Sequence, residues 1–215
     1  MEEYARQFFE PGLCDDLQVH LTSYAIKSRK LFPGTPDCIH SSVLLFRSRI
    51  LIGCLRVEGR GFEFMDVCAS SMGGGGKGGE RSVTRLYHYG YVLPGKVRGP
   101  IKDLAVQLKV IKKGIISREI VGFEWKGGSL ADSLNSDQEL MKELNGLAKD
   151  SPSLGISPRT SGSGTTLQVY ADGGGDFVTV WQPVRDPRDF PSQGDIRIAE
   201  SIAGHIRHHP SGPNN

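Results

Sequence analysis

The sequence predicts an α+β fold, a mostly antiparallel sheet packed by a central helix at about 136–149 and a C-terminal helix at about 193–209. Three observations carry this expectation. Strand-like runs come in pairs joined by glycine turns, the two strongest helix signals fall late in the chain, and the strict alternation of strand with helix that marks a parallel sheet is absent. A chain of 215 residues can bury about 70% of its unfolded surface, so residues 1–215 are read as a single globular domain.

Tyr4, Phe8 and Phe9 stand at helical spacing and are closed off by Pro11 and Gly12, which predicts a short first helix. Asp15 and Asp16 can cap the next segment. Across 16–31, Leu17, Leu21, Tyr24, Ala25 and Leu31 fit one helical face, while Val19 to Ile26 also alternates as a strand would; the helix is the preferred reading. Pro33, Gly34 and Pro36 end the segment either way. Val43–Phe46, Ile50–Val57 and Phe62–Val67 read as strands, with a hairpin turn at Glu58–Gly61. A glycine tract at 71–80 is expected to be a flexible loop before the next strand, Val83–Leu93. The stretch 100–113 fits either a helix starting at Pro100 or an alternating strand.

In the strand Glu119–Trp125, Val121, Phe123 and Trp125 are spaced two apart and are expected to enter the core together. Ser136 with Glu139 forms a capping-box pattern ahead of the stripe Leu140, Met141, Leu144, Leu147 and Ala148. Residues 150–164, rich in Ser, Pro and Gly, read as a long loop. Leu167–Ala171 and Phe177–Trp181 flank the hairpin signal Asp172–Asp176. Ser192 then caps a helix whose stripe is Ile198, Ala199, Ile202 and Ile206, Pro210 stops it, and 210–215 are expected to fray.

An apolar content of 38%, a charged content of 23% and a net charge of +2 give no bulk reason to expect nucleic acid or membrane, so any basic site must be local. The N-terminus is acidic where a secretory leader is basic, and no apolar run reaches the ~20 residues a membrane helix needs, which points to a cytoplasmic protein. Cys14, Cys38, Cys54 and Cys68 include no Cys-x-x-Cys pair and read as small buried side chains. Cys38 and His40 form a Cys-x-His pair with no second pair to complete a metal site, so neither metal nor cofactor is expected.

The glycines at 73–79, with Lys77 among them, are a candidate phosphate cradle. A Walker loop fails at two fixed positions, Ser71 and Gly78. The dinucleotide pattern, met only as Gly73, Gly75 and Gly78, is followed by a strand where a helix is required. A second candidate begins at Arg85. On a strand, Arg85, Tyr87, Tyr89 and Tyr91 share one side, and Lys96, Arg98, Lys102, Lys109, Lys112 and Lys113 follow, a row of rings beside cations of the kind that stacks unpaired bases at about 1–3 kcal/mol per ring. The competing reading turns the same rings inward, because tyrosine favours strands and the opposite side, Leu86, His88, Gly90 and Val92, would make a poor core.

Arg60–Val67 resembles, over eight residues, the aromatic strand motif of RNA-recognition domains, with Glu63 and Val67 departing from it and no matching companion strand. No family is carried across on so short a match. No nucleophile elbow and no His-Glu-x-x-His is present, and no catalytic residue is assigned. His205, His208 and His209 could share a helix face for a metal, but a basic last turn is also what the helix dipole favours. The expectation is a non-catalytic binding module for an anionic ligand such as single-stranded nucleic acid, its partner otherwise unknown, built from Arg85, Tyr87, Tyr89, Tyr91, Lys96, Arg98 and Lys102 with Lys77 nearby. The alternative is an enzyme acting on a phosphorylated small molecule, with 73–79 as a phosphate lid.

Overall fold

The computed structural model describes residues 12–31, 44–45, 49–75, 81–113, 119–150, 167–171, 174–184 and 186–214. Within these, nine strands form one antiparallel sheet: β1 (Ser28–Leu31), β2 (Leu44–Leu45), β3 (Arg49–Val57), β4 (Phe64–Gly75), β5 (Arg81–Pro94), β6 (Val106–Lys113), β7 (Glu119–Gly127), β8 (Gln168–Ala171) and β9 (Phe177–Val184). The spatial order is β1-β3-β4-β5-β9-β8-β6-β7, and β2 also pairs with β3. Five helices accompany it: α1 (Leu13–Ser23), α2 (Ile101–Leu104), α3 (Leu130–Ser136), α4 (Gln138–Asp150) and α5 (Gln193–His208). Their buried residues join the side chains of one sheet face in a single core, so the α+β reading holds.

The two ambiguous stretches each contain both structures. Leu17 and Leu21 bury the inner stripe of α1, but the helix ends at Ser23 because Ala25 turns left-handed at φ 57°, and Ser28–Leu31 goes on as a strand. Pro100 likewise opens the single turn α2, after which Val106, Leu108 and Val110 alternate inward from β6.

The glycine tract departs from expectation. Ser71–Gly75 is paired in register with Arg81–Arg85, so half of the expected loop at 71–80 is ladder, which needs only backbone donors and acceptors and therefore tolerates glycine. Residues 76–80, with Lys77, lie outside the described residues, as do Tyr4, Phe8 and Phe9, Cys38 and His40, and 151–164.

Val121 also departs. The ladder steps from Ile111↔Gly122 to Lys112↔Ile120, leaving Val121 as the extra residue of a bulge. It is therefore 52% exposed, and Ile120 packs against the core with Phe123 and Trp125. The cap of the central helix shifts by one residue. Asp137 Oδ1 accepts the Leu140 N–H at 2.9 Å, while Ser136, the last residue of α3, donates its hydroxyl back to the Asp132 carbonyl at 2.7 Å. The carboxylate wins the position because it can face the amides of α4 from outside both helices. At α5 the expected cap is present and reciprocal: Ser192 Oγ accepts the Asp195 N–H, and Asp195 Oδ2 accepts the Ser192 N–H.

The tail expected to fray is docked as far as Asn214. Arg98 Nε donates to the Gly212 carbonyl at 2.9 Å, Ser211 Oγ to Asp103 Oδ2 at 3.1 Å, and the Asn214 N–H to the Lys96 carbonyl at 3.0 Å. These partners lie more than a hundred residues away in sequence, so no local pattern announces them.

The second sheet face is buried over β1, β3, β4, β5 and β9, where Leu31, Leu51, Cys54, Phe64, Cys68, Val92 and Trp181 cluster. Gly90 makes this possible, since a Cβ there would lie 2.6 Å from Trp181 Cζ3 and the indole occupies the space a side chain would take. At the far end of the sheet, α3 protects the edge strand β7. Asn135 Oδ1 accepts the Trp125 N–H at 2.8 Å and its Nδ2 donates to the Trp125 carbonyl at 3.0 Å, so the side-chain amide stands where a further strand would pair. Asn135→Ala is expected to lower stability by about 1–2 kcal/mol in urea denaturation and to introduce concentration-dependent self-association in sedimentation velocity, because two edge groups lose their partner.

Candidate functional site

The row of tyrosines does share one side of β5, and that side is the core. Tyr87, Tyr89 and Tyr91 are 6%, 0% and 0% exposed. Tyr91 donates its hydroxyl to Gln182 Oε1 at 2.6 Å, Tyr89 donates to the Pro187 carbonyl, and Phe62 meets the Tyr91 ring edge to face at 5.0 Å. Burial pushes both the Tyr89 and Tyr91 phenols above their usual value. Rings placed this way stack on no ligand. The opposite side of β5 is not the poor core it looked, because Trp181 fills in over Gly90 beside His88. In the eight-residue stretch that resembles an RNA-recognition strand, Phe62 and Phe64 are also buried.

The flanking cations divide. Lys96 Nζ donates to the Gly174 carbonyl at 2.6 Å and pairs with Asp176 at 2.9 Å, tying the β8–β9 turn to the end of β5. Arg98 caps the C-terminal end of α5, its Nη2 donating to the carbonyls of Arg207 (3.1 Å) and His209 (2.9 Å). Lys102 is exposed on α2. The side chain of Arg85 is outside the described set; its backbone pairs with Ser71. Within the candidate phosphate cradle, Gly73, Gly74 and Gly75 are in the ladder opposite Val83, Ser82 and Arg81 and form no loop.

What the structure does expose is the second face of β6 and β7, with that of β8 half-buried beside it. Strand alternation puts Val106, Leu108 and Val110 into the core and Gln107, Lys109, Ile111 and Lys113 on the other side. One row crosses the whole sheet on that side, Leu31, Cys54, Asp66, Gly90, Trp181, Gln168, Gln107 and Lys126, running from buried to open. The open part carries Lys109, Lys113 and Lys126 at the surface, with Glu124 opposite Lys109 and paired with Lys126, and the half-buried ring of Tyr170 beside Gln168 on β8. Lys109 and Lys113, four residues apart on one strand, are separated by about 13 Å.

A second polar array lies on the helix side. Arg197, Ser201 and His205 of α5 and His209, which caps its end, follow one another at four-residue spacing and meet α4, α3 and their caps in reverse chain order. Arg197 Nε donates to Glu143 at 2.8 Å, and Ser201 and His205 Nε2 contact Asp137 Oδ2 at 3.5 and 2.9 Å. His205 Nδ1 lies 2.7 Å from Ser133 Oγ, and His209 Nε2 lies 3.2 Å from Ser129 Oγ. The histidines therefore face hydroxyls and a carboxylate, and no group of metal-holding side chains occurs among the described residues. Asp137 is held below the usual carboxylate range, first by the hydrogen bond from His205 and then by the Leu140 amide. Sequence spacing puts the α5 histidines near one another but does not find their partners, which come from helices some seventy residues earlier.

A trough of about 610 Å³ along α4, lined by Gln138, Met141, Lys142, Asn145 and Gly146, holds none of these groups. Among the described residues no helix is long and apolar enough to cross a membrane. Compared with protein families, with curated proteins and with solved structures, the chain matches none.

Two pH effects arise from these groups. Because the folded carboxyl of Asp137 titrates below its unfolded value, its contribution, on the order of 1 kcal/mol for a partly exposed pair, is complete above the ordinary carboxylate range and declines as pH falls through the lowered folded value. Urea midpoints of the wild type and Asp137→Asn are expected to converge on acidification. Tyr89 and Tyr91 act at the other end: their raised folded values mean that the unfolded chain ionises first, so stability falls as pH rises above about 10. Ultraviolet titration is expected to show two phenols that ionise only as the protein unfolds.

Proposed function

We propose that this chain is a binding module for an anionic polymer, single-stranded nucleic acid in the first instance, engaged on the open face of β6 and β7 beside β8. The observation that supports it is the set Lys109, Lys113 and Lys126 on the solvent side of one two-stranded arm, with the half-buried ring of Tyr170 on the neighbouring strand. Cations spaced along a strand follow a phosphate backbone, and a partly exposed ring on a sheet accepts a base by stacking. Affinity carried by a few surface lysines falls as salt is added. The cationic half of the reading made from the sequence moves to β6 and β7, and the aromatic half moves from β5 to β8.

Fluorescence anisotropy with a labelled single-stranded oligonucleotide at low salt tests it. Wild-type binding is expected to weaken steadily with added salt, and Lys109→Glu with Lys126→Glu is expected to flatten that dependence. Tyr170→Ala is expected to lower affinity by about 1–3 kcal/mol at every salt concentration. Wild-type protein that leaves the anisotropy unchanged at low salt, or charge reversals without effect, would dismiss the proposal.

A further inference from the structure

Two serines face histidines along the α5 seam, and the proton positions differ between them. His209 Nδ1 accepts the Ser211 N–H at 3.1 Å, so the neutral ring carries its proton on Nε2 and donates to Ser129. At His205 the carboxylate of Asp137, which can only accept, takes Nε2–H at 2.9 Å, leaving the Nδ1 lone pair to receive the Ser133 hydroxyl at 2.7 Å. Nucleophile, base and orienting carboxylate are thus hydrogen-bonded in sequence, the relation that activates a serine. Ser136 shows what a helical serine does by default: its hydroxyl turns back to the Asp132 carbonyl of its own helix. Ser133 is exposed, so a substrate can reach it.

We propose that Ser133, His205 and Asp137 form an acyl-transfer site that cleaves small activated esters. Ser133 Oγ attacks the ester carbonyl carbon as its proton passes to His205 Nδ1. The carbon–oxygen bond to the leaving alcohol breaks and that oxygen takes the proton from Nδ1. Water then attacks the acyl carbon and gives a proton to the same nitrogen; the bond from that carbon to Ser133 Oγ breaks, Oγ takes the proton back from Nδ1, and the carboxylic acid leaves. Asp137 holds the ring in the tautomer that accepts at Nδ1, and its depressed carboxyl value keeps it ionised for that role. The carboxylate cannot leave its place easily, because its other oxygen caps α4 at Leu140. Ser129, beside a histidine that donates and has no carboxylate behind it, is the built-in comparison.

The test is incubation of the full chain with a fluorophosphonate, followed by peptide mass mapping, together with p-nitrophenyl acetate hydrolysis followed over pH. The adduct is expected on Ser133 and not on Ser129. Ser133→Ala and His205→Gln are expected to reduce hydrolysis by about a hundredfold or more, Ser129→Ala to leave it unchanged, and Asp137→Asn to lower the rate and alter its pH profile. Circular dichroism of each variant separates loss of chemistry from loss of fold. Folded wild-type protein that takes no label at Ser133, or labelling and hydrolysis undiminished in folded His205→Gln, overturns the proposal.

Discussion

Everything in this molecule depends on both faces of β4 and β5 being buried where the two strands cross the centre of the sheet. Met65, Val67, Tyr89 and Tyr91 look into the helix-covered core, and Phe64, Cys68, Val92 and the space over Gly90 belong to the cluster on the other side. A slip of one residue would exchange the two sets, sending the tyrosines against Trp181 and the small residues under the helices, so the register from Phe64↔Val92 to Gly75↔Arg81 is held from both sides. That double constraint explains a ladder that persists through the glycines. It also explains why the phenols have internal acceptors, since a hydroxyl with no route to water must find one inside.

Local pattern carries the fold further than it carries the site. The hairpins, the α5 cap at Ser192 and the stripe at Ile198, Ala199, Ile202 and Ile206 can be read directly, because each depends on residues within a few positions of one another. Alternation also tells correctly which tyrosines share a side. It cannot tell which side faces in, because that depends on Trp181 arriving over Gly90 from a strand some ninety residues later. The bulge at Val121 is hidden for a similar reason: a two-residue period looks unbroken on one strand and is broken only by comparison with its partner. Asp137 escapes notice because Ser136 and Glu139 satisfy a capping pattern that says nothing of a second helix ending at Ser136.

The cations are legible as a local excess of charge but not as to employment. Lys96 and Arg98 fasten a turn and a helix end, and the exposed ion pair of Lys96 with Asp176 adds little stability, in the range of about 0–1 kcal/mol. Their use is geometric. Arg98 brings the chain after Pro210 against the segment that follows β5, so the last residues serve as a strap between α5 and the sheet. Lys109, Lys113 and Lys126 differ because their strands leave the covered half of the sheet. No core cluster includes the second-face residues of β6 and β7, and side chains there answer to solvent instead of to packing.

The lysine arm and the Ser133 site lie on opposite sides of the sheet, and this separates their fates. The buried residues of α3, α4 and α5 pack into the cluster that contains Val106, Leu108, Phe123 and Trp125, whereas Lys109 and Lys126 project from the reverse of those same two strands. The sheet and its core lie between them, so a polymer laid along the lysine side is held away from Ser133. One direct connection between them is Trp125, whose backbone is held by Asn135 of α3, the helix that also carries Ser133. Asn135 therefore fastens the edge of the sheet to the helix bearing the serine hydroxyl with one side chain, which makes α3 a physical link between the two surfaces.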